Sequence, residues 1–201
     1  MQSGIMPFEL NMLREKDKNT YLHSFRVAKM AKKMGIQLCL NEVERDRLVK
    51  GCLFHDIGKL FIPEEIIAKP DILTLLEWEI MKKHPSIGAE WIRSHRSMDT
   101  SIIDIIEFHH ERWDGQGYPC GLKGTEIPAY ARICAIIDAF DSMISERPYH
   151  RGLSVEEAKE QLLLHSDTQF DRYYVMEFLD LLHQEAERNS IVSYNDNEVL
   201  L

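Results

Sequence analysis

No stretch of this 201-residue chain longer than eight residues is free of Asp, Glu, Lys and Arg. A membrane-spanning helix needs roughly 20 consecutive apolar residues, so no membrane span is expected. The opening MQSGIMPFELNMLREK lacks a basic start, an adequate apolar run and a small-residue cleavage site. It does not read as a secretion signal, and the expected location is the cytoplasm. Cysteine is scarce: Cys39, Cys52, Cys120 and Cys134 form no CxxC pair, which suits a reducing compartment better than a disulfide framework. Positive charge is also in deficit, with 24 basic against 33 acidic residues and a formal charge of −9. That balance argues against a surface that coats a nucleic acid polymer. No GxSxG, GxxxxGK[ST] or HExxH motif occurs, so no nucleophile elbow, phosphate loop or zincin helix is in play.

What is present reads as helix after helix. Apolar residues recur at three- and four-residue spacing, and no convincing strand is found. Asn41 with Glu44, Thr74 with Glu77, and Ser154 with Glu157 have capping-box spacing. Gly35 closes the apolar stripe Leu22, Phe25, Ala28, Ala31 and Met34, Gly58 follows the segment ending in Phe54, and Pro85 and Pro148 interrupt or start later helices. Helices are expected near 8–16, 19–34, 42–56, 63–68, 74–84, 86–95, 100–111, 128–146, 154–165 and 171–188. The long exception, ERWDGQGYPCGLKGTEI from Glu111 to Ile127, holds four glycines and a proline. A loop of that length inside a compact domain is usually functional. The expected class is all-α: one compact domain over 17–188, with a helical arm at 1–16 and a frayed or docking tail at 189–201.

Nine histidines stand out. His55 and Asp56 end one helix and His109 and His110 end another; neighbours about 100° apart can wrap around one ion. His84 precedes Pro85, and His23 lies inside a helix. Asp138 sits among Ile136, Ile137, Ala139 and Phe140, where a carboxylate is costly to bury unless paired or coordinated. Asp141, on the same face, could orient a ligand. Each histidine alone reads more readily as a packed or surface residue. Together they offer imidazole and carboxylate donors for divalent ions, and metal-assisted hydrolysis is the chemistry they could perform.

The segments DKNTYLHSFRVAKMA around His23, LFHDIGKLFIPEEIIAKPDILTLLEWEIMKKHPSIGAEWI from Leu53, HHERWDGQGYPCGLKGTEIP from His109 and ARICAIIDAFDSMISERPYHRGLSVEEA from Ala131 carry a resemblance. Over residues 17 to 182 the chain resembles the HD-GYP family, a branch of the HD metal-dependent phosphohydrolases, with the Gly117-Tyr118-Pro119 triplet intact. The resemblance implies an all-helical HD-type domain with a glycine-rich GYP loop, and a phosphoric diester hydrolase. Its expected reaction converts cyclic di-GMP to linear pGpG, in some members on to GMP, through a hydroxide bridging two divalent ions, with iron or manganese favoured. It places the metal ligands on His23, His55, Asp56, His84, His109, His110 and Asp138. Asp56 would bridge one ion held by His23, His55 and Asp138 and another held by His84, His109 and His110. Lys59, Tyr118 and Arg147 are the expected substrate contacts, with Lys59 also assisting the leaving group. His95, His150, His165 and His183 are left without a ligand role.

Two departures are visible. Asn19 stands where some family members carry a Glu for a third metal, so two metals are expected. His150 stands where the family often has Lys or Arg, which leaves phosphate attraction there to Arg151. Arg112 is left without a definite role, Trp113 reads as packing and Asp114 as orienting the glycine turn. The rival readings are hydrolysis of 3′3′-cyclic GMP-AMP, because these ligands report metal and phosphate but not the base, and a signalling module that binds a diguanylate cyclase or a separate sensor protein through the GYP loop. A more general HD nucleotide phosphohydrolase is disfavoured by the intact triplet. The oligomeric state is not readable from the residues.

Overall fold

The computed structural model describes residues 8–145 and 151–198, the stretch 189–198 as backbone only. Among the described residues there are ten α-helices: α1 Phe8–Lys16, α2 Lys18–Gln37, α3 Glu42–Phe54, α4 Glu64–Ile67, α5 Leu75–Met81, α6 His84–His95, α7 Thr100–Phe108, α8 Ala129–Ile144, α9 Val155–Leu164 and α10 Arg172–Glu198. Short 3-10 turns occupy Ile57–Phe61 and Gly124–Glu126. Among the described residues no strand forms beyond one isolated bridge between Ser166 and Phe170. The all-α expectation is borne out.

The capping signals act where expected. Asn41 and Glu44, Thr74 and Glu77, and Ser154 and Glu157 each form a reciprocal capping box at the starts of α3, α5 and α9. Such caps satisfy N–H groups that have no partner inside the helix.

Four local expectations are corrected. The buried face of α2 is Thr20, Ser24, Val27, Ala28, Ala31 and Met34, whereas Leu22 and Phe25 remain 42% and 38% exposed. Small residues on that face let α2 lie close against α3 and α8, and this rotation sends Leu22 and Phe25 outward. Gly35 does not end α2, which continues to Gln37; a Cβ at Gly35 would sit 2.9 Å from Arg45 Cγ, so the glycine admits α3. His84 is the first residue of α6 rather than the last of α5, because Pro85 suits the first turn of a new helix. The backbone of α10 stays helical to Glu198, through most of the expected tail, with no Gly or Pro after Arg172 to stop it.

Two apolar clusters hold the helices. One gathers Val27, Met34, Leu48, Cys52, Ile105, Ile137 and Phe178 with their neighbours. The other gathers Leu10, Leu13, Phe54, Ile57, Ile92 and Ile106. Helices α3 and α7 contribute to both: Cys52 and Ile105 to the first, Phe54 and Ile106 to the second. Each fully buried aliphatic side chain contributes roughly 1.5–3 kcal/mol. The C-terminal ends of α3 and α7, which carry His55 and His109, are thereby fixed from two sides.

Candidate metal centre

Five of the nine histidines converge with two aspartates. Three groups of donor atoms each lie within 4.8 Å of one another: His23, His55 and Asp138; His84, His109 and His110; and His55, Asp56 and His109. Asp56 lies between the first two. Its Oδ2 is 3.9 Å from His23 Nε2 and 3.5 Å from His55 Nε2, while Oδ1 is 3.2 Å from His84 Nε2.

The helix ends set the imidazole orientation. His55 Nδ1 donates to the carbonyl of Cys52 at 2.7 Å, His84 Nδ1 to that of Met81 at 2.8 Å, and His109 Nδ1 to that of Ile106 at 2.9 Å. Carbonyls in the last turn of a helix lack intrahelical partners, so they are available to bind a ring three residues on. A carbonyl only accepts, so Nδ1 carries a proton in each ring and Nε2 is left to face the cluster. His55 Nε2 is buried with no hydrogen-bond partner. An orphaned buried acceptor is costly, and a cation is the partner that fits a site also containing Asp56 and Asp138.

Charge follows the same division. Burial, reinforced by neighbouring histidines, lowers His109 and brings His110 down to about 3; burial also lowers His55. These rings are neutral near pH 7 and able to coordinate. Burial opposes the ionisation of Asp56, but Lys59, His55 and His84 hold its carboxyl well below the usual range. Burial likewise works against Asp138, and the hydrogen bond and charge of His23 outweigh it. His23 behaves differently. Burial would lower it, but hydrogen bonds to Asp138 and Asp141 raise it to about 9. Its Nε2 lies 2.9 Å from Asp138 Oδ1 and its Nδ1 2.7 Å from Asp141 Oδ2. Without a cation, a proton fills the gap between His23 and Asp138.

Asp141 thus orients His23, as the sequence suggested, and Arg26 grips that carboxylate at 2.8 Å to each oxygen. The arginine carried no sequence signal for this role. Glu111 was also missed. It is 3% exposed and accepts the backbone N–H groups of Cys120, Gly121 and Leu122 at 2.7, 3.0 and 3.0 Å. This carboxylate closes the glycine-rich loop onto the end of α7. Gly117 is packed against the same segment: a Cβ there would meet Arg112 N at 2.4 Å and Glu111 Cα at 2.6 Å. Asp114 accepts from Gln116 N–H at 3.0 Å and from Arg112, as expected for a residue that orients the turn. Tyr118, joined to Pro119 by a cis peptide, lays its ring 4.8 Å from that of His110.

Lys59 Nζ is 2.7 Å from Asp56 Oδ2, at the edge of the cluster. Arg147 and His150 fall outside the described residues. Asn19 is exposed in the first turn of α2, its N–H bonded to Asp17. Elsewhere, His95 stacks on Trp91 and His183 pairs with Glu187, and His165 caps the end of α9. Trp113 lies under the guanidinium of Arg132, 5.7 Å from its ring.

The profile of the HD domain matches residues 7–173. This chain belongs to the HD-domain family. HD domains are metal-dependent, in keeping with the histidine and aspartate groups, and Gly117-Tyr118-Pro119 marks the HD-GYP branch. A cyclic di-GMP phosphodiesterase of Thermotoga maritima is 40% identical over 174 residues, covering 86% of this chain and 47% of the relative. A 3′3′-cGAMP-specific phosphodiesterase 2 of Vibrio cholerae is 36% identical over 162 residues, covering 80% of this chain and 31% of the relative. The chain therefore spans less than half the length of either. Among solved structures, an HDG"Y"P protein of Bdellovibrio bacteriovorus superposes with a TM-score of 0.66 at 23% identity, over 80% of this chain and 51% of that one. The HD domain of the L. monocytogenes phosphodiesterase PgpH, in complex with cyclic-di-AMP, gives 0.62 at 22% over 91% and 96%. These two likenesses establish the HD fold. No helix among the described residues is long and apolar enough to cross a membrane.

Proposed function

We propose that this HD domain is a metal-dependent phosphoric diester hydrolase that cleaves cyclic di-GMP to linear pGpG. The observation that carries the reading is His55 Nε2, buried without a hydrogen-bond partner among six other converging donors. His23, His55 and Asp138 would hold one divalent ion and His84, His109 and His110 a second. Asp56 would serve both, since one oxygen faces each group. Iron and manganese both accept imidazole and carboxylate. Such a pair supplies positive charge to phosphate oxygens and acidifies water.

The protein's own residues do the rest. Asp141 and Arg26 hold the His23 ring in place. Lys59 keeps its ammonium at the edge of the cluster, where it contacts a phosphate oxygen and stabilises the departing 3′ oxygen. Burial, with the charges of Asp56 and Asp138, pushes the Tyr118 hydroxyl pKa upward. Tyr118 thus stays a hydrogen-bond donor toward the substrate, and Glu111 keeps its loop closed over His110. Arg147 is kept as a further phosphate contact on the family resemblance. Four free cysteines suit the cytoplasm.

The test is metal content and turnover measured on one anaerobic preparation loaded with iron or manganese. Two ions per chain and conversion of cyclic di-GMP to pGpG are expected, with both lost when His55 and Asp56 are changed to Ala. Fewer than two ions, with no activity gained on adding either metal, would overturn the reading. The V. cholerae relative's name keeps 3′3′-cyclic GMP-AMP as the second substrate; turnover of that nucleotide alone would select it.

A further inference from the structure

Trp78 has no part in the cluster, yet it stands next to it. It lies on α5, a helix with no fully buried residue, and its side chain is 44% exposed, so it is not a core tryptophan. Two features fix its place. The Thr74–Glu77 capping box sets the start of α5, and the last carbonyl of that helix, on Met81, accepts the His84 ring. Trp78 is therefore tied to the cluster through a single turn of helix.

Its ring meets that of Tyr118. The Tyr118 ring is 6.1 Å away at 81°, and Tyr118 in turn lies 4.8 Å from His110 at 30°. An aromatic strip thus runs outward from the donor cluster and ends in a corner of two nearly perpendicular rings. Ring faces carry partial negative charge. The corner is unsuited to a second phosphate and suited to a flat, uncharged π system held close to an anion.

We propose that Trp78 and Tyr118 form a base-binding corner, in which a purine stacks while its nucleotide phosphate sits at the histidine–aspartate cluster. This makes Trp78 a specificity residue that distinguishes nucleotides from phosphates lacking a base. The inference rests on the phosphodiester reading of the same site.

Calorimetric titration of the metal-loaded protein with GMP and with ribose 5-phosphate tests it, since the two differ by the base. Base–aromatic stacking contributes about 1–3 kcal/mol per base. The wild type should bind GMP about 5- to 150-fold more tightly. Trp78→Leu, which keeps apolar bulk without a π face, should reduce that ratio about tenfold, and Trp78→Phe should largely restore it. In turnover, Trp78→Leu should raise KM for cyclic di-GMP by a similar factor with kcat and metal content unchanged. A ratio near one in the wild type, or the same ratio in all three proteins, overturns the corner while leaving the hydrolase intact. Binding of neither ligand, with no turnover, removes the phosphate site beneath both readings.

Discussion

The carboxylate of Glu111 offers a direct test of how the glycine-rich loop is held. Its Oε1 accepts from Cys120 and Gly121 and its Oε2 from Leu122. A hydrogen bond to a charged acceptor contributes about 1.5–3 kcal/mol when water cannot replace it. Here Cys120 and Gly121 are exposed and Leu122 half-buried, so water takes over part of each bond and about 1 kcal/mol apiece is a fairer figure. Glu111→Ala should therefore open residues 120–122 by about 3 kcal/mol, a roughly hundredfold rise in amide exchange. Glu111→Gln keeps one oxygen and turns an NH2 toward a second N–H. Its exchange should rise at one end of the 120–122 stretch more than at the other. Hydrogen–deuterium exchange read residue by residue makes the comparison, with Ile105 in α7 as an internal reference that should not change. Wild-type exchange at all three amides in the folded Ala variant would refute the argument, because among the described residues no other side-chain acceptor serves them.

Three further outcomes follow from the same geometry. A Cβ at Gly58 would lie 1.9 Å from the His84 carbonyl oxygen and 2.8 Å from Gly88 N; backbone cannot yield as a side chain can, so Gly58→Ala should cost about 3 kcal/mol and lower the thermal midpoint by roughly 6–12 °C, and an unchanged midpoint would contradict the close crossing. Manganese at a hundred times its dissociation constant should stabilise the wild type by about 2.7 kcal/mol, or roughly 5–10 °C, and should leave His55→Ala almost unmoved in the same melts. In metal-free protein His23 is raised from 6.5 to about 9, the hydrogen bonds of Asp138 and Asp141 prevailing over burial. A raised pKa stabilises the fold fully below pH 6.5 and loses that contribution as pH climbs through 9. Urea unfolding in EDTA should therefore weaken by about 3 kcal/mol across that interval. Asp141→Asn should flatten the profile, and a flat wild-type profile would count against the pairing.

The legible parts of this molecule are those whose physics is local. A capping box is three residues long, and all three that the spacing suggested are formed, at Asn41, Thr74 and Ser154. His55 and His109 could be placed at helix ends because each follows an apolar helical segment. What could not be read is rotation and long-range pairing. Leu22 and Phe25 share the spacing of a core stripe with Ala28, Ala31 and Met34, but only the last three are buried, and toward the start of α2 Thr20, Ser24 and Val27 face inward instead. Arg26 reaches Asp141 across 115 positions of sequence, and no motif announces such a pair. Glu111 is a sharper case, because its partners are backbone N–H groups that exist at nearly every residue and leave no letter behind. Its importance becomes apparent only once the loop has folded back so that three of those groups face one carboxylate. The same reasoning explains Trp78. On a linear sequence it is one more apolar residue in a short helix. It gains a function only because the capping box, the Met81 carbonyl and the His84 ring bring α5 to the margin of a cluster built from five other helices.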